Sequence, residues 1–315
     1  MRNTPKVLGI ETSCDDTAVA VVSGGSVVLS NVVASQSDMH FQYGGIVPEI
    51  ASREHFQAIV TVVDRALHDA EIKSGDIDAI AVTNGPGLAG ALLVGVNAAK
   101  GFALAWDKPV IGINHLEGHI YSSWLEGMNP EDQAGFPLVC LIASGGHTDL
   151  YLMKDHGVYC TIGRTRDDAA GEAFDKAARV LGLGFPGGPE IEDQAQHVSE
   201  SRISLPRPSI KGSLDFSFSG LKSAFVRAAE EAEFFPEKRT GRPTKQEIYE
   251  FAHEFQEAVV DCLVRSSIAA VNSYGAKGII LGGGVAANSR LRAKIAEICP
   301  VPMFVPRPGL CTDNG

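Results

Sequence analysis

Short apolar runs at Lys6–Thr12, Thr17–Val22 and Val27–Val33 are separated by the polar turn Ser13–Asp16 and by Gly24-Gly25. The pattern predicts three strands in a meander, with carboxylates in its first turn. It returns after Phe136. Leu138–Ala143 is apolar, Ser144-Gly145-Gly146-His147 turns, Thr148–Lys154 repeats the run, and a third strand follows His156-Gly157. The two halves therefore begin alike, about 130 residues apart. That period is too long for a solenoid and predicts an α/β fold of two similarly built lobes, 1–134 and 135–315, facing one ligand across a cleft.

Between the two meanders, Phe56, Ile59, Val60, Val63 and Leu67 recur at helical spacing. Ala89–Trp106 is apolar all round, the pattern of a buried helix, and Asn84-Gly85-Pro86-Gly87 punctuates its start. In the second half, Asp168–Leu181 reads as a helix stopped by Gly182, and Pro186-Gly187-Gly188 as a turn beyond it. Ile248, Phe251, Phe255, Ala258 and Cys262 mark the buried face of a long helix. Gly278–Leu281 reads as a short buried strand running into Gly282-Gly283-Gly284, with a helix over Asn288–Ile298. No closing element follows Thr312-Asp313-Asn314-Gly315, so the native chain is expected to continue.

Composition narrows the class. At 315 residues, 44 % hydrophobic and 21 % charged, the chain is globular rather than collagen-like, mucin-like or a coiled coil. Asn97 and Lys100 interrupt the longest apolar run, and the first residues carry no secretory pattern, so no membrane span and a cytoplasmic location are expected. Six cysteines without a C-x-x-C pair fit neither a disulfide scaffold nor a cysteine zinc site. A net charge of −11 excludes a protein that grips nucleic acid with its whole surface. The dense basic stretch of Lys238, Arg239, Arg242 and Lys245, near Pro236 and Pro243, is either a solvated loop or a local RNA contact.

His115-Leu116-Glu117-Gly118-His119 places two histidines at i and i+4, on one helical face and about 5–6 Å apart. That spacing suits one divalent metal, although capping or surface histidines share it. Glu117 lies roughly 200° around the helix from His115, unlike the general base of a metalloprotease. The small-residue turns at Ser13–Asp16, Ser144–His147 and Gly282–Gly284 are suited to cradling phosphate or packing on a purine. Neither a Walker A loop nor a Rossmann fingerprint is present. Asp167 and Asp168 are read equally as helix-start carboxylates or functional groups. Asp175, two turns in, could bond a ribose or an amine, and Glu11 is a cleft candidate.

Eight motifs then fall in order: Ile-Glu-Thr-Ser-Cys-Asp-Asp (10–16), Gly-Pro-Gly-Leu (85–88), His-Leu-Glu-Gly-His (115–119), Ser-Gly-Gly-His-Thr (144–148), Asp-Asp-Ala-Ala-Gly-Glu-Ala-Phe-Asp-Lys (167–176), Asp-Phe-Ser-Phe-Ser-Gly-Leu-Lys (215–222), Gly-Gly-Gly-Val-Ala-Ala-Asn (282–288) and Cys-Thr-Asp-Asn-Gly (311–315). Together they resemble the universal tRNA threonylcarbamoyladenosine transferase family, formerly called O-sialoglycoprotein endopeptidase. The resemblance implies a two-lobed actin-like ATPase-domain fold of the ribonuclease H-like, duplicated kind. It also implies transfer of a threonylcarbamoyl group from threonylcarbamoyl-AMP to N6 of the adenosine beside the anticodon, in tRNAs reading codons that begin with A.

By the same resemblance, His115, His119 and Asp313 match the metal ligands, for iron or zinc, with Mg²⁺ accompanying any bound nucleotide. Ile142, Ala143, Ser144, Gly145, Gly146, Asp175, Gly188 and Asn288 match the adenylate-binding positions. Glu11 and Asp15 are the candidates for a general base. The partners implied are tRNA, an inactive paralogue (TsaB) that heterodimerises through the N-terminal lobe, a P-loop ATPase (TsaE) and a separate synthase that makes the adenylate. Two other readings share the fold: an ATP-dependent phosphotransferase of the actin-like kinase class, and a non-catalytic scaffold paralogue.

Overall fold

A computed structural model describes residues 4–43, 45–232, 234 and 243–315. Of the basic stretch, Lys238, Arg239 and Arg242 lie outside the described residues. The chain divides into two compact units, residues 1–129 with 312–315 and residues 130–311.

The first unit comprises β1 (Lys6–Glu11), β2 (Asp16–Ser23), β3 (Val27–Ser35), α1 (Ser37–Phe41), α2 (Pro48–Asp69), β4 (Ala79–Gly85), α3 (Ala89–Trp106), β5 (Val110–Asn114) and α4 (His115–Tyr121). Its strands form one sheet in the order β3-β2-β1-β4-β5. The meander is antiparallel, whereas β1, β4 and β5 run parallel. Their carboxyl ends therefore share one edge, the side on which parallel sheets carry ligands.

The second unit contains α5 (Pro130–Gln133), β6 (Leu138–Ala143), β7 (Thr148–Asp155), β8 (Val158–Arg164), α6 (Ala170–Leu181), α7 (Gly187–Ala195), α8 (Ser219–Glu231), α9 (Lys245–Tyr274), β9 (Gly278–Gly282), α10 (Ser289–Ile298) and β10 (Met303–Phe304). Its sheet, β10-β9-β6-β7-β8, repeats the first plan: an antiparallel meander followed by two parallel strands. β6 and β9 are buried along their whole length, which their unbroken apolar runs require. Phe174, Phe225 and Phe255 from α6, α8 and α9 meet edge to face in the core.

Several expectations change. α3 is not buried all round. Only Ala91, Gly95, Ala99 and Ala103 face inward, one small residue per turn, so the helix lies close to its neighbours. A side chain at Gly95 would run into the Thr12 hydroxyl. Val94, Val96, Phe102 and Trp106 pack partly against the core, but Leu93 is 62 % and Leu104 86 % exposed; on α2, Phe56 is 75 % and Val60 64 % exposed. By length and composition alone α3 could cross a membrane, yet Asn97 and Lys100 lie on its exposed face. Gly187-Gly188 opens α7 instead of making a turn, because the carboxylate of Asp175 accepts the Gly187 amide at 2.7 Å. The strand ahead of the glycine run extends to Gly282, and Asn288 is the N-cap of α10 rather than part of it.

Candidate functional site

Strand register assembles the first cluster. Ile10 pairs with Val82 and Thr83 with Ile113, so Glu11, Thr83 and His115 sit at neighbouring carboxyl ends of β1, β4 and β5. α4 starts at once, capped by Asn114, whose Oδ1 accepts the Leu116 amide at 2.9 Å. His115 and His119, 8 % and 5 % exposed, share its inner face, with ring centroids 4.6 Å apart.

Asp313 belongs to this unit through the segment 312–315. Asn31 on β3 donates to Asn314 Oδ1 at 2.5 Å, and Gly315 lies on the sheet so closely that no side chain fits at Gly9. Asp313 Oδ1 is 3.4 Å from His119 Nε2 and 3.8 Å from His115 Nε2. One ligand atom from each of the three residues lies within 4.8 Å of the others. Glu117 is outside the cluster. His119 Nε2 is buried and makes no hydrogen bond among the described residues. Burying such a nitrogen unpaired costs roughly 1–3 kcal/mol. A divalent ion would take its lone pair, and two imidazoles with a carboxylate are a donor set suited to iron or zinc.

The turn beside this cluster is acidic. Burial pushes the Asp15 carboxyl up, and burial with the charges of Asp15, Asp313 and Glu11 pushes Asp16 up from 3.8 to about 6, against a hydrogen bond from Ser35. The Cys14 thiol is raised for the same reasons, burial first and then Asp15. Burial works against a charged His115, but the hydrogen bond to Glu11 and the charges of Asp313 and Glu11 outweigh it, and its value rises.

His55 on α2, fully buried, holds the turn from beneath. Its Nε2 donates to the Cys14 carbonyl at 3.0 Å, and its Nδ1 accepts from Thr17 at 2.7 Å. Burial lowers its value, in keeping with a neutral ring. Nothing in the sequence marked His55, because its partners come from other elements.

The elevated Asp16 has a thermodynamic consequence. An acid whose folded value is raised contributes stability that is full below the unfolded value, near 3.8, and lost as pH rises through about 6. Ionised Asp16 therefore destabilises the fold by about 1–3 kcal/mol at neutral pH. Metal-free Asp16→Asn protein should be more stable than wild type at pH 7.5 and equal to it near pH 4, as read from urea midpoints. An equal difference at both pH values would contradict this.

In the second unit, Ile142 and Ala143 are fully buried in β6, so only their backbone and the turn beyond can face a ligand. Ser144 closes that turn. Its amide donates to the His147 carbonyl at 2.8 Å, and its hydroxyl accepts the His147 amide at 3.2 Å. Gly145 and Gly146 are exposed. Gly171, in the first turn of α6, touches Ser144 and Gly145 so closely that a side chain there would collide with backbone. Gly283, at φ +86°, abuts the Ala143 carbonyl, and Gly188 at the start of α7 faces open space.

Asn288 is 6 % exposed. Its Oδ1 accepts the Leu291 amide at 2.9 Å and its Nδ2 donates to Gln256 at 2.8 Å. The Ser289 amide donates to Glu192 of α7 at 2.8 Å. The glycine turns and the starts of α6, α7 and α10 are thus linked around the carboxyl ends of β6 and β9, with helix N-termini suited to anions. A cavity of about 220 Å³ beneath Lys176, Lys222, Phe225 and Phe255 shares no residue with these loops.

The neighbouring acids are structural. Asp167 caps α8, accepting the Phe218 and Ser219 amides at 2.7 and 3.2 Å, rather than the helix that follows it. Asp168 pairs with Lys176 and Lys222 at 2.9 and 2.6 Å.

Two sheets of one plan, one edged by a two-histidine, one-carboxylate cluster and the other by glycine turns, define a two-lobed actin-like ATPase-fold protein. Solved structures agree on that fold. Full-length HypF superposes with a TM-score of 0.61 at 12 % identity, over 99 % of this chain and 54 % of that one. Component A of (R)-2-hydroxyglutaryl-CoA dehydratase from Acidaminococcus fermentans gives 0.56 at 13 % identity, over 96 % and 92 %.

The chain belongs to the tRNA N6-adenosine threonylcarbamoyltransferase family, whose sequence model matches residues 27–315. A protein of that name from Thermomicrobium roseum is 54 % identical over 322 residues, covering 98 % of this chain and 88 % of its own length. One from Bacillus cereus is 50 % identical over 319 residues, covering 100 % and 89 %.

Proposed function

We propose that this chain moves the threonylcarbamoyl group from threonylcarbamoyl-AMP to N6 of the adenosine beside the anticodon, in tRNAs reading codons that begin with A, with one iron or zinc ion held by His115, His119 and Asp313. Identity of 54 % over 98 % of this chain to a relative of that name supports the transfer. The observation that carries the metal is the buried His119 Nε2, unbonded and turned toward Asp313. When bound, the ion supplies Lewis acidity and a template for the donor's oxygens.

In the reaction the bond from the carbamoyl carbon to the phosphate oxygen breaks, a bond to N6 forms, N6 gives up a proton and AMP leaves. The chain's part is binding and alignment, which can contribute roughly 7–11 kcal/mol. In the Ser144-Gly145-Gly146 turn, entered from Ile142 and Ala143, the Ser144 amide is spent on the His147 carbonyl, and the Gly145 and Gly146 amides are the N–H groups offered to the adenylate. Gly188 leaves room at the start of α7. Asn288 and Asp175 act mainly as braces, because both spend side-chain oxygens on helix N-termini. Asp15 remains the candidate acceptor for the N6 proton, and Mg²⁺ accompanies any bound nucleotide.

The two compact units serve as the N- and C-terminal lobes, in a cytoplasmic enzyme. A charge of −11 supports shared rather than solitary capture of tRNA. The bulky apolar residues exposed on α2 and α3 support pairing of the N-terminal lobe with an inactive paralogue (TsaB). A P-loop ATPase (TsaE) and a separate adenylate synthase complete the system. The test is incubation of the chain and these partners with labelled threonine, bicarbonate, ATP and tRNA. Label in the tRNA is expected. Unlabelled tRNA together with phosphorylation of a sugar or carboxylate would favour the kinase reading instead.

A further inference from the structure

Glu11 ends β1 at 4 % exposure, and both of its oxygens are occupied. Oε1 accepts the Ser13 amide, and Oε2 accepts the Thr83 hydroxyl at 2.5 Å and faces His115 Nδ1 at 3.1 Å. A carboxylate can only accept, so the proton in this contact sits on Nδ1 and leaves the lone pair on Nε2. The opposite tautomer would set lone pair against lone pair. The Ser13 hydroxyl, 3.2 Å from the same Nδ1, adds a second acceptor. Nε2 is the nitrogen that faces Asp313.

We propose that Glu11, locked by Ser13 and Thr83, is a positioning residue that fixes His115 as its Nδ1–H tautomer and aims Nε2 at the metal, and is not the base that takes the N6 proton. The inference rests on the metal reading above and deepens it. Partners of this kind both orient a ligating imidazole and raise its basicity. Three of the roughly four lone-pair sites of this buried carboxylate are already taken by Ser13, Thr83 and His115, which argues against Glu11 as the acceptor of a substrate proton.

The isosteric change Glu11→Gln makes a sharp test. The Ser13 amide still requires an oxygen, so the new NH₂ group falls opposite His115 Nδ1 and donates to it, which drives the ring to the Nε2–H form that cannot bind metal. Long-range ¹⁵N–¹H correlation on histidine-labelled, metal-free protein, at a pH high enough that the His115 ring is neutral, should show Nδ1–H on His115 in wild type and Nε2–H in the variant. Zinc affinity, by competition with a chromophoric chelator, should fall roughly 10–100-fold. Thr83→Val removes one donor but keeps the carboxylate, and should retain Nδ1–H.

Wild-type protein with Nε2–H on His115, or a folded Glu11→Gln variant with unchanged tautomer and unchanged zinc affinity, overturns the proposal. Wild type that takes up neither zinc nor iron overturns the metal reading, and the tautomer measurement still decides the role of Glu11.

Discussion

His119→Ala is expected to lower bound iron or zinc from about one ion per chain to none, and to reduce threonylcarbamoyl transfer by more than the roughly 10–100-fold that loss of an outer partner costs. The geometry makes the effect specific. His119 Nε2 makes no hydrogen bond among the described residues, so truncating the ring removes only its packing on His115 and its 3.4 Å approach to Asp313. Asp313 keeps its place through the Asn31–Asn314 bond and the packing of Gly315 on the sheet. The metal-free protein should therefore still fold, weakened only by the cavity the ring leaves, while metal content collapses. Elemental analysis after anaerobic reconstitution, beside a thermal melt, separates the two. A variant that keeps one metal per chain and full activity would remove His119 from the site.

The second large effect concerns partnership. Phe56→Asp with Leu93→Asp replaces two apolar side chains that are 75 % and 62 % exposed. Neither contributes to the core, so the isolated chain should fold as wild type does. Central apolar anchors of an interface cost 2 kcal/mol or more each when truncated. The double variant should therefore bind the inactive paralogue at least about 10²-fold more weakly and lose transfer in the reconstituted system. Calorimetry or analytical ultracentrifugation reads the affinity. Wild-type affinity in the variant would move the interface off α2 and α3.

Much of the fold was legible because its two meanders are apolar runs bounded by glycine and polar turns, a signal contained within each run. Helices whose starts depend on distant groups were not. α7 opens with Gly-Gly-Pro, a turn by local rules, and forms because Asp175 caps it. α8 follows Phe-Ser-Phe-Ser, and its cap is Asp167, fifty-two residues before Ser219. The apolar surface of α3 was misread because hydrophobicity does not say which face meets protein; the small residues at every fourth position do.

In the site, the histidine pair was visible from i, i+4 spacing. Asp313 entered through the family resemblance, since nothing local ties it to α4. Thr83 was invisible, because only the parallel pairing of β1 with β4 brings it to Glu11 across 72 residues. Glu11 itself was found as a cleft candidate. Its bonds to Ser13, Thr83 and His115 recast it from reacting group to support.

Transfer itself is read by omitting ATP and supplying purified threonylcarbamoyl-AMP to the metal-loaded chain, its partners and an unmodified tRNA, then digesting the RNA and measuring nucleosides by mass spectrometry. Threonylcarbamoyladenosine is expected, together with one AMP per modified adenosine, and neither product above background with His119→Ala. Unmodified tRNA from the wild-type protein, in a mixture where a relative from the same family yields the modified nucleoside, would contradict the proposed transfer.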